Sequence, residues 1–516
     1  MRRPGRFRQV VAACALTAAL WAAAAAPAGA APGQESLFQD DSLLIFKPPS
    51  SVAKTMDTLR YLGVDRVRVT VFWNLVAPNP ASRNRPRFDA TDPAAYPPGA
   101  WRQYDTIVRL AAARGMSVNF TVWGAVPAWA GGRASYRLFA GHFNPSAAEF
   151  GNFMTALGRR YDGRHPGDDG KTLPRVSNWS LWNEPNGISF LAPTWQRHGG
   201  VWIEKSAVIY RSLVDAAWKA LTSTRHVPGD TVLVGETAPK AKAVPAASRS
   251  IRPLTFIRAL YCVDGRLRPL RGTAARLRGC PRSNQARAFP AAHPGLFRAA
   301  GYAHHPYQLL LPPTLASEPD SVTTADIPRL TGTLDGIFRA YRNRRRLPIY
   351  NTEFGYESRP PSAFGVPLAT QAAYLNESEF MGYRNRRLVS YSQFLLTDSS
   401  NAQQFQTGLV QRSGRIKPAY GAYRAPIWIP NSVSRSGRFR VWGLFRPGRR
   451  EGVRSASIQF ARFGGRFATV ATASAARARG YVDRMVRVPR SGFIRLAWRD
   501  PATHGTAFSR PVAVFR

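Results

Sequence analysis

Cysteine is nearly absent from this chain: three residues in 516, at positions 14, 262 and 280. There is no CxxC pair and no HExxH, and the eight histidines show no metal-ligand spacing. A bound metal is therefore not expected. No glycine-rich nucleotide turn follows any strand-like segment, which counts against the dinucleotide-binding sheets. Beyond the first thirty residues no apolar run is long enough to cross a bilayer. No short repeat period indicates a solenoid. Acids are scarce as well: 30 Asp and Glu face 72 Lys and Arg, a net charge of +42.

A field of that size could draw in polyanions such as nucleic acid, an acidic glycan or an anionic cell envelope. No nucleic-acid fold signature accompanies the charge, so specific nucleic-acid binding is not expected. A solvated, arginine-rich surface is the plainer reading.

What is present begins with a leader. "MRRPGRFRQ" is basic, "VVAACALTAALWAAAAA" is apolar, and Ala28-Gly29-Ala30 offers small residues for cleavage. Residues 1–30 read as a signal peptide of a secreted, extracellular protein. An uncleaved anchor is the alternative. "VAAC", around Cys14, loosely matches a lipoprotein box, but almost no apolar segment precedes it. Removing the leader leaves Cys262 and Cys280, which bracket an arginine-rich loop. In an oxidising compartment that spacing predicts one disulfide, contributing roughly 3 kcal/mol by loop closure. Two free buried thiols are the alternative.

Eight short runs rich in β-branched and aromatic residues read as strands. They are "SLLIFK" near 42, "RVRVTVFW" at 66, "MSVNFTVW" at 116, "VSNWSLWN" at 176, "TVLVGET" at 231, "AAGYAHHPY" at 299, "LPIYNTEF" at 347 and "RLVSYSQFLL" at 387. Segments of helical period alternate with them, among them "WRQYDTIVRLAAARG" and "AVIYRSLVDAAWKAL". Alternating strands and amphipathic helices predict parallel βα units, and eight of them fit an α/β fold, a (β/α)8 TIM barrel over residues 31–428. An open doubly wound sheet is the alternative. From about 434 the strands shorten and the turns become glycine-rich, with a hairpin predicted at Gly464-Gly465. Residues 434–516 therefore predict a small all-β sandwich, in which Trp442, Phe460, Phe467 and Trp498 alternate as core residues.

In such a barrel the strand ends gather at one mouth. The fourth ends in Asn183-Glu184-Pro185 and the seventh in Glu353, inside "NTEFG". Two carboxylates facing each other across the mouth suit glycosidic bond cleavage, one protonating the leaving oxygen while the other attacks the anomeric carbon or activates water. Glu236, ending the fifth strand in "GETAP", is a third acid near the mouth, open between a supporting role in the site and a structural one.

"WNEPN" followed much later by "TEFG" resembles clan A of the glycoside hydrolases, the retaining β-glycosidases of the family 5 and family 39 type. The resemblance implies that Glu184 is the acid/base and Glu353 the nucleophile. It matches Asn183 to the residue that binds the sugar 2-hydroxyl, Arg68 to the arginine that steadies the nucleophile, and His305 and Tyr307 to the strand-six pair. Physically, Glu353 should be ionised, held by Arg68 and the Tyr307 hydroxyl, and its charge should raise the Glu184 pKa.

Strand eight departs from the clan, offering Tyr391 and Gln393 where a tryptophan platform is usual. Trp73, Trp123, Trp129, Phe190, Trp195 and Trp202 fall in or near the βα loops and could stack on sugar rings, or simply pack. The "NWS" sequon at Asn178 sits in a buried strand and is discounted. The expectation is a secreted, monomeric, cofactor-independent retaining glycosidase acting on β-linkages of a poly- or oligosaccharide, with contact to an acidic glycan or envelope open. The competing readings are a non-catalytic carbohydrate-binding protein on the same scaffold and a polyanion binder driven by the arginines.

Overall fold

Eight parallel strands close into a barrel in the order of the chain: β1 (Glu35–Gln39), β2 (Arg66–Phe72), β3 (Ser117–Trp123), β4 (Asn178–Leu181), β5 (Thr231–Thr237), β6 (Gly301–His304), β7 (Ile349–Asn351) and β8 (Leu388–Phe394). β1 closes the ring by pairing with both β8 and β2 (Glu35 opposite Ser390, Leu37 opposite Arg66). The computed structural model describes residues 33–134, 141–283, 285–401, 405–430, 437–453, 455–474 and 480–516. The leader, with Cys14, and residues 431–436 of the segment between the two parts lie outside the described residues. No described helix is long and apolar enough to cross a membrane.

A main helix follows each strand: α1 (Pro49–Leu62), α2 (Arg102–Ala113), α3 (Ala147–Arg160), α4 (Lys205–Ser223), α5 (Pro253–Leu260), α6 (Ile327–Ala340), α7 (Leu368–Tyr383) and α8 (Pro418–Arg424). Their apolar stripes face the barrel. In α3, Phe150, Phe153, Met154 and Leu157 are buried at the i, i+3, i+4 and i+7 spacing. This is the (β/α)8 architecture that the strand–helix alternation predicts.

The first strand is a correction. It lies at 35–39, and "DSLL" at 41–44 is one turn of helix. The reason is local: the Asp40 side chain accepts a hydrogen bond from Leu43 N (3.1 Å), capping the turn and ending the strand before the apolar run begins.

Beyond α8 the chain is β apart from one helical turn, Gly448–Glu451. Ile427–Trp428, Arg438–Leu444 and Tyr481–Arg487 form one antiparallel sheet. Ser455–Arg462, Ala468–Ser474, Gly492–Arg499, Thr506–Phe508 and Val512–Val514 form another. Gly464, at φ +74°, turns the expected hairpin. Val441, Ile458, Phe460, Val482, Leu496 and Trp498 fill the space between the sheets as a sandwich core. Trp442, one residue out of phase with Val441, faces the other way and packs on Phe380 and Tyr383 of α7. Phe467 is half-buried under the Arg495 guanidinium rather than in the core. Gly63, at the end of α1, has φ +83°, and a Cβ there would meet the Arg446 carbonyl carbon at 2.6 Å, so glycine permits the sandwich to close on the barrel.

Cys262 and Cys280 are disulfide-bonded. The bond closes the loop after α5, at the end of the barrel opposite the mouth.

Candidate active site

β4 delivers Glu184 through a bent backbone. Trp182 and Glu184 both adopt left-handed conformations (φ +74° and +40°), as does Glu236 at the end of β5 (φ +48°). Such angles are costly for residues with a Cβ and persist where surrounding bonds fix them. Here Trp182 N donates to Val122 O (3.1 Å), Glu184 N to Glu236 O (2.9 Å), and the Trp182 indole to Phe190 O (3.0 Å). Asn186 ties the loops after β4 and β5 together, accepting from Ala238 N and donating to Ala238 O and Ile251 O.

Across the mouth, β7 carries Glu353. Its Oε2 accepts from Arg68 Nη1 (2.9 Å) and its Oε1 from the Tyr307 hydroxyl (2.9 Å). One oxygen of Glu184, one of Glu353 and a ring nitrogen of His305 lie within 4.8 Å of one another. The side chains of Glu184 and Glu353 remain 15% and 14% exposed, so both can be reached from the cleft.

Beneath this pair lies a network that the sequence only hinted at. Glu236 is fully buried, and its Oε2 accepts from Arg68 Nη2 (3.0 Å), His305 Nε2 (2.7 Å) and Thr352 Oγ1 (2.8 Å). His305 Nδ1 in turn lies 2.8 Å from Glu184 Oε1. Arg68 Nη2 also donates to Asn183 Oδ1 (2.7 Å), which orients that amide with Nδ2 as its remaining donor, and Arg68 Nη1 reaches Gln39 Oε1. One buried anion thus supports two cations, and each cation holds one cleft carboxylate.

The electrostatics follow from that chain. Burial favours the neutral form of Glu236, but Arg68 and His305 overrule it and hold its pKa down to about 2. Burial opposes a charged His305, yet Glu353, Glu184 and Glu236 together raise it to about 9. Arg68 is pulled down by burial and raised further by Glu236 and Glu353. Glu184 is raised, first by burial, with the His305 hydrogen bond opposing and the Glu353 charge adding a smaller push. Desolvation, then, is the main cause of the raised Glu184 pKa, ahead of the Glu353 charge that the sequence suggested.

Glu184, His305 and Glu353 are the described trio whose donor atoms come close enough to share a metal ion. Their chemistry does not fit one. His305 is charged at neutral pH and spends both ring N–H groups on carboxylates, leaving no lone pair for a metal.

The cleft above measures about 860 Å³, within the usual range for small-molecule sites. Asn183, Glu184, Tyr307 and Glu353 line it, with Phe72, Trp123, Phe190, Phe394 and Phe405 as aromatic walls. Arg68 and His305 lie just below, both fully buried.

Several expected aromatics are elsewhere. Trp73 is only 1% exposed and stacks on Phe153 of α3 (5.4 Å) in the layer outside β2. Trp129 packs edge-on against it, and neither Trp195 nor Trp202 reaches the cleft wall. Tyr391 and Gln393 are corrections too. Strand alternation places both on the same outward face of β8, where the Tyr391 hydroxyl donates to Leu375 O and Gln393 Nε2 to Thr407 O. The cleft residue of that strand is Phe394. Gln39, Thr352 and Asp41, a cleft-lining carboxylate that accepts from Gln39 Nε2 (2.9 Å), were missed. Gln39 and Asp41 sit at the end of the true β1, so placing that strand correctly would have found them.

No family model matches the sequence, and no curated protein matches it. Solved structures do resemble it in shape. A glucosidase from Croceicoccus marinus is 12% identical over 90% of this chain and 94% of that one, with a TM-score of 0.49. A GH5_18 protein from Streptomyces cattleya, in complex with GlcNAc, is 16% identical over 75% and 78%, at 0.43. A family 1 β-glucosidase from Thermotoga maritima is 13% identical over 70% and 81%, at 0.41. At such identities and scores they add nothing to what the barrel and its site show by themselves.

Proposed function

We propose that the protein is a retaining glycoside hydrolase that cleaves β-glycosidic bonds by double displacement. The observation that carries this reading is the approach of one Glu184 oxygen to within 4.8 Å of one Glu353 oxygen at the floor of an open cleft. Retaining enzymes hold their carboxyl groups about 5–5.5 Å apart, whereas inverting ones leave about 6.5–9.5 Å for a water. The β preference rests on the "WNEPN" and "TEFG" resemblance, and secretion on the leader.

Glu353, accepting from Arg68 and Tyr307, attacks the anomeric carbon. Glu184, kept protonated by burial, gives its proton to the leaving oxygen. As Glu184 becomes a carboxylate, the His305 imidazolium at 2.8 Å stabilises the new charge. Glu184 then takes a proton from water, which opens the glycosyl ester and regenerates Glu353.

Glu353→Gln should abolish turnover of an aryl β-glycoside, and Glu184→Gln should lower it about 10²- to 10⁴-fold on a substrate with a poor leaving group. Early product examined by proton NMR should keep the β configuration. Full activity in Glu353→Gln, or an inverted first product, would sink the reading.

A further inference from the structure

Apart from Tyr61, every large apolar side chain exposed on the described barrel lies between a barrel strand and the main helix that follows it, and so at the mouth. The loop after β6 presents Leu309, Leu310, Leu311 and Leu315, each 44–49% exposed. Phe364, 80% exposed, stands on the loop after β7, and Phe46, 60% exposed, on the loop after β1. The leucine loop is tied down. Gln308 Nε2 donates to Leu315 O (2.6 Å) and Pro312 O (3.3 Å), and the Tyr356 hydroxyl donates to Leu311 O (3.1 Å). Fixed backbone with outward leucines is the build of a contact surface, since apolar patches of this kind mark interaction sites.

Cations accompany them. Lys47 is exposed on the loop after β1, Arg359 on the loop after β7 and Lys242 on the loop after β5, and among the described residues none has an ion-pair partner. Lys240 and Lys242 share with Leu311 a cavity of about 630 Å³ beside the cleft, and Lys240 lines the cleft as well. Exposed leucine and phenylalanine interleaved with unpaired cations are complementary to an anionic lipid surface, whose headgroups and acyl boundary they can enter together.

The apolar surface also runs inward. Leu309 and Phe405 line the cleft, and Phe405 stacks on the Tyr307 ring (5.4 Å), whose hydroxyl holds Glu353. On the other side Phe46, Phe72, Trp123 and Phe190 form a chain of ring contacts at 5.0–6.3 Å, ending beside Glu184 in the cleft lining.

We infer that the barrel mouth docks on an anionic lipid surface and that the cleft receives a glycoside with a lipid aglycone from it. A protein seated on the same ring of loops would cover the cleft, whereas a lipid surface supplies it. The substrate half of this inference rests on the glycosidase reading; the docking half does not. The reaction is hydrolysis: the anomeric C–O bond breaks, the water oxygen joins the sugar, and the aglycone leaves as an alcohol.

The test uses the full secreted chain, sedimented with vesicles of phosphatidylglycerol and phosphatidylcholine or of phosphatidylcholine alone. Wild type and Glu353→Gln should both sediment with the anionic vesicles. The double variant Leu310→Ser, Leu311→Ser should bind at least tenfold less while hydrolysing a soluble aryl β-glycoside at the wild-type rate. Octyl β-glycosides should show a higher kcat/KM than methyl ones. Absence of binding, or binding indifferent to the leucine substitutions, overturns the docking surface and leaves only generic attraction by the arginines. Capture by a soluble acidic protein in preference to vesicles does the same. Equal rates on octyl and methyl glycosides overturn the lipid aglycone. If wild type binds vesicles yet hydrolyses no glycoside, the glycosidase reading fails and the surface stands.

Discussion

With Glu236 buried between Arg68 and His305, each cleft carboxylate is held by a cation whose own charge is balanced from below. Glu236→Gln removes that balance. His305 should then lose its proton well below pH 9, and Glu184 should lose the imidazolium that stabilises its anion. A hydrogen bond to a charged group is worth about 1.5–3 kcal/mol, so kcat/KM should fall about 10- to 100-fold. The alkaline limb of the profile should move upward, because Glu184 keeps its proton longer beside a neutral imidazole. KM should change far less than kcat. An unchanged pH profile would reduce Glu236 to a packing residue. Stability carries the same signature. His305 is raised from 6.5 to about 9, so its contribution is complete below about pH 6.5 and is lost as pH climbs through about 9. Glu236 is lowered from 4.5 to about 2, so its contribution is complete above about pH 4.5 and is lost as pH falls towards 2. Melting temperature against pH should therefore plateau between these limits, and the Glu236→Gln variant should lose its alkaline shoulder.

At the scale of elements, what could be read in advance was what strand ends and spacing carry. Glu184 and Glu353 face one cleft because β4 and β7 are where the apolar runs placed them, Asn183 came with the first of their motifs, and Arg68, His305 and Tyr307 came from the family resemblance. Tyr391 and Gln393 were misjudged because sequence gives the two-residue period of β8 without saying which phase faces the mouth. Trp73 stayed open between sugar stacking and packing because a loop tryptophan can turn inward to the mouth or outward to α3, and stacking on Phe153 decides for packing. The cap at Asp40 cut β1 short of the apolar run, which hid Gln39 and Asp41. The disulfide, by contrast, needed only two cysteines and an oxidising compartment. It sits below the barrel, where the Arg211 guanidinium also ties α4 to Ala259 O, Leu260 O and Arg278 O. Cys262→Ser with Cys280→Ser should cost about 3 kcal/mol in chemical denaturation, as expected for a closed loop of this length. Turnover at 25 °C should stay at the wild-type level because the mouth is untouched. A parallel loss of kcat would mean the two ends of the barrel are coupled.

Over the whole molecule, barrel and sandwich are joined by buried polar contacts as well as rings. Arg446, from the sandwich side, is 1% exposed. It donates to Glu379 Oε2 on α7 (2.8 Å) and to Tyr423 O on α8 (2.9 Å), and lies 4.1 Å over the Tyr423 ring. Arg424 of α8 reaches Asp500 (2.6 Å) in the return direction. The Phe380 and Trp428 rings stack at 3.8 Å beside them. An ion pair this deep is costly to break because the surviving charge stays in a site from which water is excluded. The two parts should therefore unfold together, giving a single calorimetric transition for the full chain. Glu379→Gln leaves Arg446 charged and without its anion, and should destabilise that one transition by about 3–5 kcal/mol. Glu379→Leu with Arg446→Met, which removes both charges while keeping apolar volume, should recover most of the loss. Two resolved endotherms in the wild type, or a Glu379→Gln variant that shifts only one of them, would show that the interface does not couple the parts and that the sandwich rides on the barrel as an independent unit.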